Sequence, residues 1–438
     1  MTRLAVWTVL IAVLSGCGAS EPGISTGASG AGATPMMGVA GAGGTVAPLP
    51  DADATEVASP RDGSPDEGGP GRDVGADSTV EGTSGDTSPD APFDAHDAAA
   101  MPIPGACTPP VDINHPYEKL SQTGCVDPKV PTRSAALVLG YEVNSPLWSD
   151  GAAKTRGIVV PAGGKIHIKD CAQYPAECKG MADDGKWVLP VGTVMVKNFL
   201  FDGKFVETRL FVHFDEMTWV GYGYRWDEAQ TDATIVPDER VTVSFNTGTR
   251  QVAWTYPHRL DCMQCHAPEA GSTLGLETAQ MNRVVNGMNQ LDRLAALGLF
   301  EKPPAKPYKA ALVAPYAIPG QLAGPPAGAT VDERARSYLH ANCGFCHRPG
   351  GAFEIIDLRF DVAMKDRAIC GATPDKGDCG VIGALNLTPG DPMKSTMWLR
   401  MKSLTDMIRM PQIASVVVDQ GGLDLIGQWI TSTTTCPM

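Results

Sequence analysis

The chain has 438 residues, a formal net charge of −14, and 43% hydrophobic but only 6% aromatic residues. That acidic balance argues against nucleic acid as a partner, because phosphate binding needs a local excess of Lys and Arg. With 12 cysteines the compartment decides their chemistry, so the N-terminus is read first.

The opening "MTRLAVWTVLIAVLSGC" places Arg3 before an apolar stretch from Leu4 to Leu14. The stretch is too short to span a bilayer unaided and has the layout of a signal peptide. Leu14-Ser15-Gly16-Cys17 resembles the bacterial lipobox, which implies removal of residues 1–16 and lipidation of Cys17. The expectation is a cell-envelope lipoprotein. It is anchored in the outer membrane through Cys17 and faces the periplasm or the cell surface. Residues 17–105 are rich in Gly, Pro, Ser and Asp with almost no aromatics. Such a segment cannot bury enough apolar area to offset chain entropy, and it reads as a disordered acidic tether.

Residues 106–255 read as β-rich. "GKIHIKD", "VMVKNFLFDG", "FVETRLFVHF", "TWVGYGYRW" and "ERVTVSFNTG" are runs of β-branched and aromatic residues between turn formers. Asp202-Gly203 reads as a hairpin turn. Alternation predicts Phe205, Glu207, Arg209 and Phe211 on one face, with Val206, Thr208, Leu210 and Val212 on the other. The expected architecture is multidomain: an antiparallel sandwich or barrel followed by mainly α domains. Trp187, Trp219, Tyr222, Tyr224 and Trp226 read as core, with a cavity wall as the alternative.

The pattern then becomes helical. In "LETAQMNRVVNGMNQLDRLAALGLF", Met281, Val284, Met288, Leu291, Leu294 and Leu297 recur at intervals of three or four. Thr330 with Glu333 makes a capping box for a helix leading to Cys343. "GLDLIGQWI" predicts a last helix with Leu423, Ile426 and Ile430 on one face. Residues 256–325 and 326–438 read as two mainly α regions, each carrying one Cys-x-x-Cys-His element.

Two elements carry the chemistry: Cys262-x-x-Cys265-His266 and Cys343-x-x-Cys346-His347. Two cysteines at this spacing can each form a thioether to a heme vinyl group, with the next histidine beneath the iron. A zinc knuckle would need two further ligands per pair, and a thioredoxin-like pair would need a strand-to-helix context. In an exported chain the pattern predicts two covalent c-type hemes, with His266 and His347 as iron ligands.

"NCGFCHRPGG" resembles the opening of class I cytochrome c, and "RMPQIASVVVDQGGLDLIGQWI" resembles its distal Met-Pro segment and last helix. This resemblance implies Met410 as the sixth ligand of the second heme; Met397, Met401 and Met407 compete for the role. For the first heme the candidates are Met281, Met288, His258 and His213, or an open position. "LGYEVNSPLWSDGAAKTRGIVVPAG", "WVLPVGTVMVKNF", "WVGYGYRWDEAQTDA", "DCMQCHAPEAGSTLGLETAQMNR" and "LTPGDPMKSTMWLRM" extend the likeness. Together they resemble a family of exported bacterial diheme c-type cytochromes of unassigned role. The likeness implies heme binding and redox work without naming a substrate or a catalytic residue. The leading expectation is electron transfer between a redox partner protein, or a small-molecule donor, and an acceptor. The alternatives are a peroxidase- or oxidase-like enzyme acting at the first heme and a redox-linked ligand-binding or sensing module.

Seven cysteines remain after lipid and heme: Cys107, Cys125, Cys171, Cys178, Cys370, Cys379 and Cys436. Short loops favour Cys171–Cys178 and Cys370–Cys379 disulfides, with Cys107 pairing to Cys125 or Cys436.

Overall fold

The computed structural model describes residues 107–438, except 111, 172–173, 175, 177–184, 319–321, 414 and 438. The expected signal peptide, Cys17 and the tether lie outside the described residues.

The strands follow the β-branched and aromatic runs. In chain order they are β1 (Val126–Asp127), β2 (Val130–Ser134), β3 (Leu139–Gly140), β4 (Ala153–Val159), β5 (His167–Ile168) and β6 (Trp187–Val188). Next come β7 (Val194–Phe201), β8 (Lys204–Asp215), β9 (Thr218–Trp226), β10 (Ala233–Ile235), β11 (Val241–Asn246) and β12 (Gln251–Tyr256). Six of them make one antiparallel sheet in the order β10-β9-β8-β7-β4-β3. Asp202 (φ 51°) and Gly203 (φ 77°) turn β7 into β8, as an Asp-Gly pair at positive φ should.

This region is an open sheet, not the expected sandwich or barrel. Its edge strands β3 and β10 have only two and three residues and do not pair with each other. The β11–β12 ribbon packs Phe245, Trp254 and Tyr256 on Phe199, Phe201 and Val206. A second group, including Leu120, Val126, Val194, Val196, Leu210, Val212, Tyr222, Tyr224 and Trp226, forms another cluster against the same sheet. The predicted alternation also fails at Phe205 and Val206, at the start of β8. Phe199 pairs with Glu207 but Leu200 pairs with Phe205, so β8 carries an extra residue there. Phe205 therefore packs with the Leu210 and Val212 cluster, against Trp226, instead of sharing a face with Arg209 and Phe211.

The C-terminal region is helical: α1 (Arg259–Cys265), α2 (Thr278–Met281), α3 (Gln290–Ala296), α4 (Val331–Asn342), α5 (Thr396–Lys402) and α6 (Gln420–Ser432). The helical periodicity read between α2 and α3 is interrupted by a small hairpin, β13 (Val284–Val285) and β14 (Met288–Asn289). Asn286 (φ 50°) and Gly287 (φ 81°) adopt the left-handed pair that an Asn-Gly hairpin turn requires, and this local preference overrides the spacing. Val284 and Met288 are consequently exposed. Leu276, Met281, Leu291 and Leu294 pack with Trp187, Met195 and Phe211, joining this segment to the sheet.

The expected helix after Thr330 and the last helix both form. Thr330 and Glu333 make the reciprocal capping box of α4. α4 and α6 share a core of Ala335, Tyr338, Leu339, Leu425, Ile426, Trp429 and Ile430. Burying each large member contributes about 1.5–3 kcal/mol. The two helices meet at Gly422, where a Cβ would lie 2.4 Å from the Tyr338 ring. Cys107 pairs with Cys125. Cys370 pairs with Cys436, not with Cys379, across a sequence separation of 66. The chain beyond α6 returns beside Cys370, so spatial approach decides the partner rather than the shorter loop. Cys171 is disulfide-bonded, and its expected partner Cys178 lies outside the described residues.

Candidate functional site

The first motif sits on α1, a single short helix fixed at its start. His258 caps it by accepting the Leu260 N–H at 3.0 Å, and Asp261 returns the bond by accepting the His258 N–H at 3.0 Å. Arg240 donates to Asp261 through Nε at 2.9 Å, tying the helix to the chain between β10 and β11. Cys262 lies directly against the sheet. A Cβ on Gly221 would come within 2.7 Å of its sulfur, so only glycine permits this approach. His266 packs against Phe211 with ring centroids 4.2 Å apart. Its Nδ1 bonds the Ser272 carbonyl at 2.6 Å, which sets the ring orientation and leaves Nε2 for another partner.

The second motif follows α4 without a break, since Cys343 is the helix C-cap. The helix is held from two sides. The Asn342 side chain accepts the Trp148 N–H at 2.7 Å, and Ser145 donates to the Ser337 carbonyl at 2.9 Å. His340 donates from Nε2 to Glu277 at 2.6 Å while its Nδ1 accepts the Phe360 N–H at 3.0 Å. Glu277 also receives Lys186 at 3.3 Å. A buried carboxylate thus links β-region, first-motif segment and second-motif helix. Burial would raise the Glu277 carboxyl, but His340 and Lys186 overcome it and hold the pKa well below the ordinary carboxylate range.

Both motifs open onto one cavity of about 350 Å³. Cys262, Cys265, His266, Cys343, Cys346, His347 and Met410 all line it. The Cys265 and Cys346 side chains are within hydrogen-bonding contact, and Cys346 approaches the Gln264 carbonyl at 3.6 Å, so the two motifs abut. Met401 shares the lining with Met410. Met397 instead packs in the helical core, and Met407 is exposed. Of the methionines competing with Met410, Met401 alone lines this cavity.

The first motif's expected distal partners are placed elsewhere. Met281 is buried in the core with Leu291 and Leu294, and Met288 is exposed. His213 stacks on Trp219 at 4.2 Å, and His258 is occupied as a helix cap. None of these four lines the cavity. The aromatic residues read as core are buried, apart from the partly buried Trp219; Tyr222 contributes to the cavity wall as well.

No family model, curated protein or solved structure matches the chain.

The residues present suit a covalent heme. Each motif brings two sulfur atoms, standing for thioether sulfurs, and one imidazole to an apolar space walled by Val143, Val196, Leu210, Phe211, Phe345 and Phe353. Burial lowers the His266 and His347 pKa values to about 4, so both rings are neutral near pH 7, the form that binds iron. Burial also raises the Cys343 thiol to about 12, as expected for a sulfur held among apolar groups.

Two features escaped the sequence reading. Asp150 accepts the Ser415 hydroxyl at 2.9 Å and the Val416 and Val417 N–H groups at 3.0 Å. It thereby pins the segment after Met410 to the loop before β4. Its left-handed φ of 49°, followed by Gly151 at 80°, makes the tight bend that aims it there. The signal available was the Ser149-Asp150-Gly151 tripeptide, a turn-forming string that does not reveal a partner at Ser415. The second feature is a row of cations on the sheet: Arg156 pairs with Lys197, and Lys197 pairs with Arg209, on three adjacent strands. All three line the cavity.

Proposed function

We propose that the chain is a cell-envelope diheme c-type cytochrome that relays electrons between a redox partner and an acceptor. The observation that carries this reading is the convergence of both Cys-x-x-Cys-His motifs and Met410 on one cavity. Bound hemes would supply reversible one-electron chemistry at iron. Cys262 and Cys265 would attach one of them and Cys343 and Cys346 the other. His266 and His347 would donate neutral imidazoles, the first with its orientation set by the Ser272 carbonyl. Met410 would close the second iron with its sulfur, an arrangement that favours outer-sphere transfer and raises the potential relative to two imidazoles. Contact between Cys265 and Cys346 brings the two attachment edges together, and tunnelling between redox groups is fastest at close approach.

A second reading is a heme-dependent oxidoreductase with its chemistry at the first heme. The observation favouring it is that none of Met281, Met288, His213 and His258 lines the cavity. Intact mass after expression with cytochrome c maturation should exceed that of the processed chain by two hemes; one or none rejects the diheme proposal. Cyanide or carbon monoxide titration with low-temperature EPR separates the two readings. Two low-spin, ligand-inert hemes support the relay, and one ligand-accessible heme supports the enzyme. Anchoring through Cys17 is tested by Cys17→Ala, which should move the protein out of the membrane fraction. An unchanged distribution rejects the lipid anchor. Among the described residues no helix is long and apolar enough to cross a membrane.

A further inference from the structure

Like charges placed directly opposite one another on neighbouring strands repel, and burial intensifies the effect. The cavity wall nonetheless carries such a row. Arg156 on β4, Lys197 on β7 and Arg209 on β8 occupy consecutive cross-strand positions. Gly223 completes the row on β9 and adds no side chain. Two carboxylates act on the three cations, and both are taken: Glu142, near Arg156, is bound by Arg283 at 2.9 Å. Glu207, fully buried, receives Arg209 through Nε at 2.7 Å and Nη2 at 2.8 Å, and its second oxygen also accepts the Trp254 indole at 2.9 Å. That leaves Arg156 and Lys197. Neither makes an ion pair or side-chain hydrogen bond among the described residues, and each is half-buried with its remaining exposure in a cavity wall.

Elsewhere on the same wall Lys186 has Glu277, Arg259 has Asp238 and Asp261 has Arg240. Burial depresses the Lys197 amine well below its ordinary pKa, and the neighbouring Arg156 adds to the effect. A planar oxyanion suits a guanidinium and an ammonium held side by side, since it can accept a hydrogen bond from each.

We propose that Arg156, Lys197 and Arg209 form an oxyanion site in the wall of the shared cavity. Its occupant is a carboxylate-like group, supplied either by a propionate of a bound heme or by a free small oxyanion brought to the iron. This deepens the diheme proposal and rests on it for the identity of the cavity.

The test compares wild type, Arg156→Gln, Lys197→Gln and the exposed control Lys129→Gln, all as matured protein. Heme number is measured first by intact mass. Fewer than two hemes in wild type overturns the diheme proposal itself, and the effect of nitrite on the melting temperature then decides the row alone. With two hemes present, reduction potentials are measured, and ferric protein is titrated with nitrite. If a propionate fills the row, nitrite leaves the wild-type spectrum unchanged and each variant lowers one heme's potential. A nearby cation favours the reduced heme, which carries one positive charge fewer. The expected shift is at least tenfold in the reduction equilibrium, about 59 mV for one electron. If a free oxyanion fills it, nitrite perturbs wild type saturably, and the variants bind it at least tenfold more weakly. Variants indistinguishable from Lys129→Gln in both measurements overturn the oxyanion site. Lys197→Arg, which keeps the charge, should restore most of either effect.

Discussion

Replacing Glu277 with glutamine should loosen the joint between the two motif-bearing segments. The carboxylate is 6% exposed and holds His340 at 2.6 Å and Lys186 at 3.3 Å. Removing one partner from a buried ionic group costs about 3–5 kcal/mol. Some of that is recovered. The amide oxygen still accepts the His340 Nε2–H, and Lys186 keeps the Ala270 carbonyl at 3.3 Å. Each retained bond is worth about 1 kcal/mol, so the net loss should be about 1–3 kcal/mol. In a folded body of about 330 residues that lowers the melting temperature by about 1–4 °C. Because the folded pKa of Glu277 is depressed, its contribution is present above the ordinary carboxyl value of 4.5. It is lost as the pH falls further, since the unfolded chain takes up the proton first. Thermal melts of Glu277→Gln and wild type should therefore differ at neutral pH and converge toward acid. Glu301→Gln, which removes an exposed partner of His167, should stay within about 0.5 kcal/mol of wild type. Equal melts at pH 7, or a gap that does not narrow below the carboxyl range, would refute the reasoning.

Gly221→Val should displace Cys262, since a Cβ there already meets its sulfur at 2.7 Å. Mass spectrometry should find the heme at the first motif reduced or lost while the second remains; full loading at both would contradict the close approach. Met410→Ala should convert the second heme to a high-spin, ligand-accessible centre in EPR; an unchanged spectrum would transfer the ligand role to Met401 or to another group. Replacing both Cys370 and Cys436 with alanine opens a link spanning 66 positions and should cost about 4 kcal/mol in denaturant melts, against about 3 kcal/mol for the 18-position Cys107–Cys125 link. The reverse ranking would mean that native packing, not loop length, sets their worth.

Local signals were the most legible part of this chain. The Thr330–Glu333 cap, the Asp202-Gly203 turn and the apolar face of α6 each depend on residues a few positions apart. Asn286-Gly287 was equally local, yet it lay inside a run whose spacing mimicked a helix, and the turn chemistry prevailed. The extra residue in β8 could not be read at all, because it depends on pairing with Phe199 and Leu200 across the hairpin. The site divides in the same way. Each Cys-x-x-Cys-His is visible as a string, but their meeting at Cys265 and Cys346 joins positions 81 apart (346 − 265). The cation row needs a three-strand register, and the Cys370–Cys436 bond needs the path of the chain after α6.

The shared cavity also constrains how such a protein could be assembled. Its walls are drawn from Tyr141 through Ile413, nearly the whole described body. No wall is complete until strands from the first half meet helices from the second, and contacts of such long range form late in folding. An attachment enzyme delivering a group as large as heme needs access to the cysteines before that closure. On the proposed reading, maturation has to precede the last folding steps at both motifs. The native core would then be built around its cofactors, and a chain that missed one of them would have a hollow interior to collapse.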